Sequence, residues 1–396
     1  MKSVKPDSPL ANRLQGFSPS IFAEMTALAA STNSINLGQG FPDYNGPAEV
    51  LRIAQDNIAA GNNQYPSGIG LPDLRNAISE HQKRFWNVAY DPDSEILVTM
   101  GATEALAGAM LGILNEGDEV IMFEPLFDTY AGCVALAGAV LVPITLRPQT
   151  NGRYEFDPNE LRAAVTSKTR MILLNSPHNP TGTVFNAEEM QLVADVAIEH
   201  DLIVLSDEVY EHLVFDNATH ISMASLQGMR DRTVTISSGG KAFNTTGWKI
   251  GWACAPASLI NATRMAKQLF TFAGGTPFQP AIAAGLRLPD SYFQALANDL
   301  QEKRNVLMGA LGDAGLQPIR PEGTYFITCD IRERQPDGDG LTFCRALPEK
   351  IGVVAIPASV LYEPRNMHEG KHLVRFAFCK QMNTIEEASR KLRAWK

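Results

Sequence analysis

Between about residues 95 and 255, short apolar and β-branched runs alternate with stretches whose apolar positions recur every three or four residues. The runs are Ile96 to Thr99, Glu119 to Phe123, Val140 to Leu146, Met171 to Asn175, Leu202 to Ser206, Val234 to Ser237 and Ile250 to Cys254. Several are apolar throughout, as strands covered on both faces are, and the alternation predicts βαβ units around a mostly parallel sheet. The clearest helix is Ala187 to Glu199, where Asn186 and Glu189 have capping-box spacing and Met190, Val193, Ala194 and Ala197 share one face. After about residue 290 the pattern changes to a long helix near Tyr292 to Gly312. Strands near Thr324 to Cys329, Val353 to Ile356 and Leu373 to Phe378 follow, with a last helix from about Thr384. The expected fold is α/β, a large domain with a mostly parallel seven-stranded sheet plus a smaller α+β domain. Residues 1–45 form an N-terminal arm and part of the small domain, 46–290 the large domain and 291–396 the small one.

Composition narrows the function. The 34 Lys and Arg against 43 Asp and Glu leave a formal charge of -9, so no global basic field exists to hold a nucleic-acid backbone. The five cysteines are scattered and contain no CxxC pair, which points away from a disulfide framework or a thiolate zinc site and toward a reducing compartment. No metal-ligand set is expected. The first residues lack the apolar stretch of a secretory signal, and glycines and prolines break the longest uncharged stretches. A cytoplasmic protein is expected, with no membrane and no nucleic-acid partner.

In a doubly wound sheet, ligands sit at the carboxyl ends of the strands. The loops there are Gly101-Ala102-Thr103, SPHNPTG after Asn175, DEVY after Ser206 and SGGKAFNTTGWKIGW after Ser237. Small residues opening a helix at Ala102 and Thr103 leave free N–H groups that suit a phosphate, although such a start is more often only a turn. Ser238, Lys241 and Lys249 form a second phosphate-compatible group. A lysine is ordinarily a solvated surface charge, but Lys241 stands between a buried strand and Gly247-Trp248, where a desolvated amine with a lowered pKa can form a Schiff base. Asp207 reads either as a strand-end turn residue or as a buried carboxylate facing a heterocyclic nitrogen, which it would keep protonated. Asn179 either holds a turn or donates its amide to a ring oxygen. Neither GxGxxG nor GxxxxGK[ST] occurs, so a dehydrogenase or P-loop reading lacks its motif.

Together these residues resemble the class I/II aminotransferases of pyridoxal-phosphate fold type I. NLGQGFPD, NQYPSGIGLPDLR, VTMGATEAL, FEPLFDTY, NSPHNPTG, SDEVYEHLVFD, SSGGKAFNTTGWKIGW, GTYFITCD, VVAIPASV and HLVRFAFCK stand in the family's order. The resemblance is strongest to the branch of kynurenine, glutamine and methionine aminotransferases, cysteine-conjugate β-lyases and N-succinyldiaminopimelate aminotransferases. It implies pyridoxal 5'-phosphate as cofactor, a ping-pong transfer between an amino acid and a 2-oxo acid, and a homodimer with shared active sites. By that resemblance Lys241 holds the cofactor and then shuttles a proton, Asp207 pairs with the pyridinium nitrogen, and Asn179 and Tyr210 bond the ring oxygen. Phe127 stacks on the ring, while Ala102, Thr103, Ser238 and Lys249 bind the phosphate, helped by Tyr65 from the other subunit. Many relatives have Arg at the position of Lys249, so here the bidentate fork is replaced by a point charge. Arg375 clamps the substrate carboxylate with the backbone of Gly40 and the amide of Asn179, and Phe22 walls the pocket.

Phe22, Tyr65, Phe127 and Tyr130 point to an apolar or aromatic rim. Gly274-Gly275, where relatives place a bulky or charged side chain from the partner subunit, is expected to open the pocket for a long donor such as N-succinyl-LL-diaminopimelate. Three readings remain: transamination, β-elimination on cysteine conjugates, and a catalytically silent binding domain. The last requires Lys241 or Asp207 to be missing, and both are present.

Overall fold

The structure is a computed structural model that describes residues 10–17 and 20–395. Residues 1–9, 18, 19 and 396, which the expected arm and small domain include, lie outside the described residues. The seven apolar runs form one sheet: β1 (Ile96–Met100), β2 (Glu119–Glu124), β3 (Val140–Thr145), β4 (Thr169–Asn175), β5 (Ile203–Asp207), β6 (Thr233–Ser238) and β7 (Ile250–Cys254). Their order is β1-β7-β6-β5-β4-β2-β3. All neighbours are parallel except β7, which runs antiparallel to both β1 and β6. The sheet is therefore mostly parallel, and the ends of β1, β2, β4, β5 and β6 open on one edge.

Strand alternation explains why these runs are apolar throughout. Val120, Met122, Met171 and Leu173 belong to the core that includes Leu106 and Met110 of the helix Gly101–Ile113. Their neighbours Ile121, Phe123, Ile172 and Leu174 belong to the opposite core, with Val193 and Ala197 of the helix Ala187–Glu199. Both faces are covered, so both registers must be apolar. The capping box of that second helix is present, Glu189 N–H donating to Asn186 and Asn186 N–H to Glu189. Pro143 lies on β3, at the sheet edge, where its missing N–H leaves no ladder bond unmade.

A second, antiparallel sheet has the order β8-β9-β11-β10, from β8 (Gln317–Ile319), β9 (Phe326–Asp330), β10 (Ile356–Pro357) and β11 (Leu373–Ala377). The helices Ile21–Ser31, Asp290–Asp313, Gly340–Ile351 and Met382–Arg393 share one apolar core with it. The run expected as a single strand from Val353 to Ile356 is divided. Val353–Val354 pairs in parallel with Ile35–Asn36, while Ile356–Pro357 takes the edge of the second sheet. An apolar run reports burial but not partner, so the division was invisible in the pattern.

Candidate active site

At the open edge of the large sheet the chain builds a cavity of about 190 Å³. Ala102, Thr103, Phe127, Asn179, Asp207, Tyr210, Ser238, Lys241 and Lys249 all line it. Parallel pairing places them: Asn175 and Asp207 are register partners at the ends of β4 and β5, and Asn175 Nδ2 donates to the Asp207 carbonyl at 2.9 Å. Asn175 Oδ1 accepts the Asn179 N–H at 2.7 Å, which fixes the turn that carries the Asn179 side chain. Ser238 ends β6, and Lys241 follows on the short turn Gly239–Ala242.

The start of the helix Gly101–Ile113 lies flat on β7 because Gly251 has no side chain. A Cβ there would be 2.5 Å from the Gly101 carbonyl carbon and 2.6 Å from the Ala102 nitrogen. The free N–H groups of this helix start and Lys249 therefore meet at one end of the cavity.

Asp207 is buried, with Oδ2 accepting from Tyr130 Oη at 2.7 Å and Oδ1 from Val209 N–H at 3.3 Å. Burial raises its pKa to about 6, against the lowering effect of those two bonds and of Lys241. Burial likewise lowers the Lys241 amine to about 8, an effect that Cys379 and Asp207 oppose and that Lys249 and Arg375 reinforce. Lys241 Nζ lies 5.4 Å from the ring centres of both Tyr210 and Tyr325 and donates to Tyr325 Oη at 2.8 Å.

Arg375 is buried just beyond the cavity. Nη1 reaches Asn179 Oδ1 at 3.3 Å, Nη2 reaches the Gly38 carbonyl at 3.0 Å, and Nε has no partner. Among the described residues no carboxylate pairs with it, and burial lowers its pKa to about 10. A buried guanidinium without a counter-ion is costly unless a ligand supplies one.

A family model described as aminotransferase class I and II matches residues 32–392. The chain belongs to the class I and II aminotransferases. This aminotransferase is 48% identical over 387 residues to a probable N-succinyldiaminopimelate aminotransferase of Mycobacterium tuberculosis, covering 96% of this chain and 97% of that protein. It is 37% identical over 408 residues to kynurenine–oxoglutarate transaminase 3 of Mus musculus, covering 97% and 90%. Among solved structures it resembles the N-succinyldiaminopimelate aminotransferase of Mycobacterium tuberculosis with a TM-score of 0.95, over 98% of this chain and all of that one.

The cofactor of this aminotransferase is pyridoxal 5'-phosphate, and the residues present fit it. Backbone N–H groups and Lys249 suit a phosphate at one end of the cavity. Asp207, which no described cation pairs with, suits a protonated ring nitrogen, and the Lys241 amine of lowered pKa lines the same cavity.

The remaining expected residues of the aminotransferase lie at, beside or away from this cavity. Tyr130, expected on an aromatic rim, does line the cavity, and it is buried there with its hydroxyl donating to Asp207 Oδ2. Tyr65 is 81% exposed beside Phe272 and is not among the residues lining the cavity of its own chain. Phe22 has its ring 5.2 Å from the Arg375 guanidinium. Gly40 contributes its carbonyl to Tyr325 Oη at 2.6 Å, and Gly38, not Gly40, meets Arg375. Gly275 adopts a left-handed φ of 67°, and a Cβ there would overlap Ile250 of its own chain. The left-handed backbone favours glycine here, and the expected opening concerns the pocket of the partner subunit.

Two features escaped the sequence reading. Tyr325 touches Lys241, yet in GTYFITCD it looks like one more core aromatic. His81, Glu211 and His212 converge away from the cavity, with the two imidazoles bonded Nε2 to Nε2 at 2.7 Å and Glu211 accepting from Ser237 and Trp86. Glu211 and the two Nε2 atoms thereby have partners, whereas His81 Nδ1 has none.

Proposed function

We propose that this aminotransferase takes its amino group from N-succinyl-LL-diaminopimelate and passes it to 2-oxoglutarate. The similarity to the Mycobacterium tuberculosis protein across both full lengths carries that choice of donor. The buried Arg375, which no described carboxylate pairs with, and the cavity amine of Lys241 together support an amino acid as donor.

Pyridoxal phosphate supplies an electron sink for the electrons released when the substrate Cα–H bond breaks. Lys241 Nζ would hold the cofactor and move the proton at the substrate Cα; its lowered pKa keeps a usable fraction neutral near pH 7 to 8. Asp207, oriented by Tyr130 and the Val209 N–H, would hold a proton on the ring nitrogen. Asn179 and Tyr210 would bond the ring oxygen, Phe127 would pack on the ring, and Ala102, Thr103, Ser238 and Lys249 would hold the phosphate. Arg375, with Asn179, orients the donor so that Cα–H stands over the ring face, and Phe22 closes the far side of the guanidinium.

In this reading the protein is a homodimer in which Tyr65 reaches the phosphate bound by the second subunit. The exposed Tyr65, Leu269, Phe270 and Phe272 supply an apolar surface for that contact. The large and small units divide near residues 45 and 290. A reducing, cytoplasmic setting agrees with five free, buried cysteines. Among the described residues no helix is long and apolar enough to cross a membrane.

The test is a single-turnover spectrum of the yellow protein mixed separately with N-succinyl-LL-diaminopimelate, methionine, glutamine, phenylalanine and kynurenine. The succinylated donor should discharge the colour about tenfold faster than the others, a difference of roughly 1.4 kcal/mol. The kynurenine transaminase relative supports a second reading, a broad-specificity aminotransferase with β-lyase activity. An inert succinylated donor with fast methionine or kynurenine would establish that reading instead, and pyruvate released from a cysteine conjugate would add the lyase.

A further inference from the structure

The Lys241 amine is held by a hydroxyl to which the reaction as outlined gives no part. Tyr325 is buried at 1% exposure, and its ring stands edge-on to Tyr210 with centres 5.2 Å apart. Its oxygen lies 2.8 Å from Lys241 Nζ and 2.6 Å from the Gly40 carbonyl. A carbonyl only accepts, so the single phenolic proton goes to Gly40, and Tyr325 Oη can only accept from the lysine.

The contact therefore uses one N–H of the amine and leaves its lone pair available to the cavity. Gly40 is itself fixed, since a Cβ there would overlap the Phe326 ring and lie 2.9 Å from Tyr325 Cε2. Gly38, two residues earlier, holds Arg375. One short segment thus anchors both the guanidinium and, through Tyr325, the lysine.

We propose that Tyr325 is a positioning residue that holds the Lys241 amine after an incoming amino acid has displaced it from the cofactor, with its lone pair directed at the substrate Cα–H. The proposal rests on the reading of Lys241 as the cofactor lysine. While Lys241 is bonded to the cofactor its nitrogen is committed elsewhere, so the Tyr325 contact stabilises the displaced state selectively. Any ligand that displaces the lysine gains from the hydroxyl, and a ligand that occupies only the carboxylate clamp does not.

Two small acids separate these cases. 2-Aminoisobutyrate has an amine that displaces the lysine but no Cα–H to lose, so it binds without turning over. Isobutyrate has the same carbons and carboxylate but no amine. Both are compact, so the size of the donor pocket does not decide the result. Affinities are measured on the cofactor-loaded protein from the shift of the visible band, isobutyrate by competition, for wild type and Tyr325→Phe.

Losing one hydrogen bond should weaken 2-aminoisobutyrate about five- to tenfold in Tyr325→Phe. Isobutyrate should bind equally to both proteins, and the melting temperature should fall only slightly, because the ring that packs on Tyr210 is retained and only the Gly40 carbonyl loses its donor. With a substrate, the same variant should show a slower half-reaction and a larger isotope effect for Cα-deuterated donor. Equal affinity of 2-aminoisobutyrate for both proteins overturns the proposal, as does a matching loss for isobutyrate, which would place the effect in the carboxylate clamp. A wild-type protein whose band responds to neither acid overturns the reading of the site itself.

Discussion

Replacing Asp207 by Asn should make the cofactor-free protein more stable while destroying its function. Asp207 is 3% exposed and has two hydrogen-bond donors but no cation at bonding distance. Its pKa of about 6 against an ordinary 3.8 means that the ionised form costs the folded state roughly 3 kcal/mol. The folded pKa is the raised one, so the favourable contribution is complete below pH 3.8 and is lost as pH rises through about 6. Asparagine carries no charge, but its Nδ2 cannot accept the second donor, which returns about 1 kcal/mol. The net gain at pH 8 is then about 2 kcal/mol, or roughly 2–8 °C in Tm. Calorimetry of both cofactor-free proteins from pH 4 to pH 8 should show the difference growing up to about pH 7 and then levelling. Pyridoxal phosphate should reverse the order, because only the carboxylate pairs with a protonated ring nitrogen. A variant less stable than wild type at pH 8, or a difference independent of pH, would refute the reasoning.

Three further outcomes follow from the same geometry. Attachment of pyridoxal phosphate to the cofactor-free protein, followed by stopped-flow absorbance, should accelerate with pH through a midpoint of about 8, the Lys241 value; a midpoint near 10 would mean that the lysine is solvated. Arg375→Lys keeps a charge but loses the planar fork, so KM for the amino donor should rise roughly tenfold to hundredfold with a smaller change in kcat, as steady-state kinetics would show. Gly275→Ala should lower Tm by an amount worth about 1–3 kcal/mol, from the left-handed backbone and the overlap with Ile250, and should slow long and short donors alike in single-turnover spectra.

The large sheet was legible because burial on both faces leaves a strand little freedom: apolar at every position, ended by a turn that carries function. Each of the seven runs became a strand within two residues of its expected ends, and the cavity formed where the turns meet. Pattern reports whether a side chain is buried but not what its polar atom meets. Tyr130 was correctly apolar in character, yet its hydroxyl finds Asp207, 77 positions away. Tyr325 behaves as core by every local measure, while its oxygen joins Lys241, 84 positions away, to Gly40, 285 positions away. At Gly275 a local demand stands beside the expected one: the backbone is left-handed, which favours glycine, while the opening expected of the pair concerns the pocket of the partner subunit.

The balance of charge around the site also follows from position rather than composition. The chain as a whole is acidic, yet Asp207 is the one carboxylate among the cavity-lining residues, facing Lys241 and Lys249 with Arg375 behind Asn179. Strand ends and helix starts make this possible, because the field of backbone N–H groups at residues 101 to 103 has the same sign as the lysines. Desolvation then penalises each of the two buried cations, lowering Lys241 to about 8 and Arg375 to about 10. A ligand that neutralises the site must bring more negative than positive charge, distributed as a phosphate at the helix start and a carboxylate near Asn179, with one protonated nitrogen for Asp207. A phosphorylated pyridine together with an amino acid meets all three demands at once. Neither alone does, so cofactor and substrate each complete the electrostatics that the other leaves unbalanced.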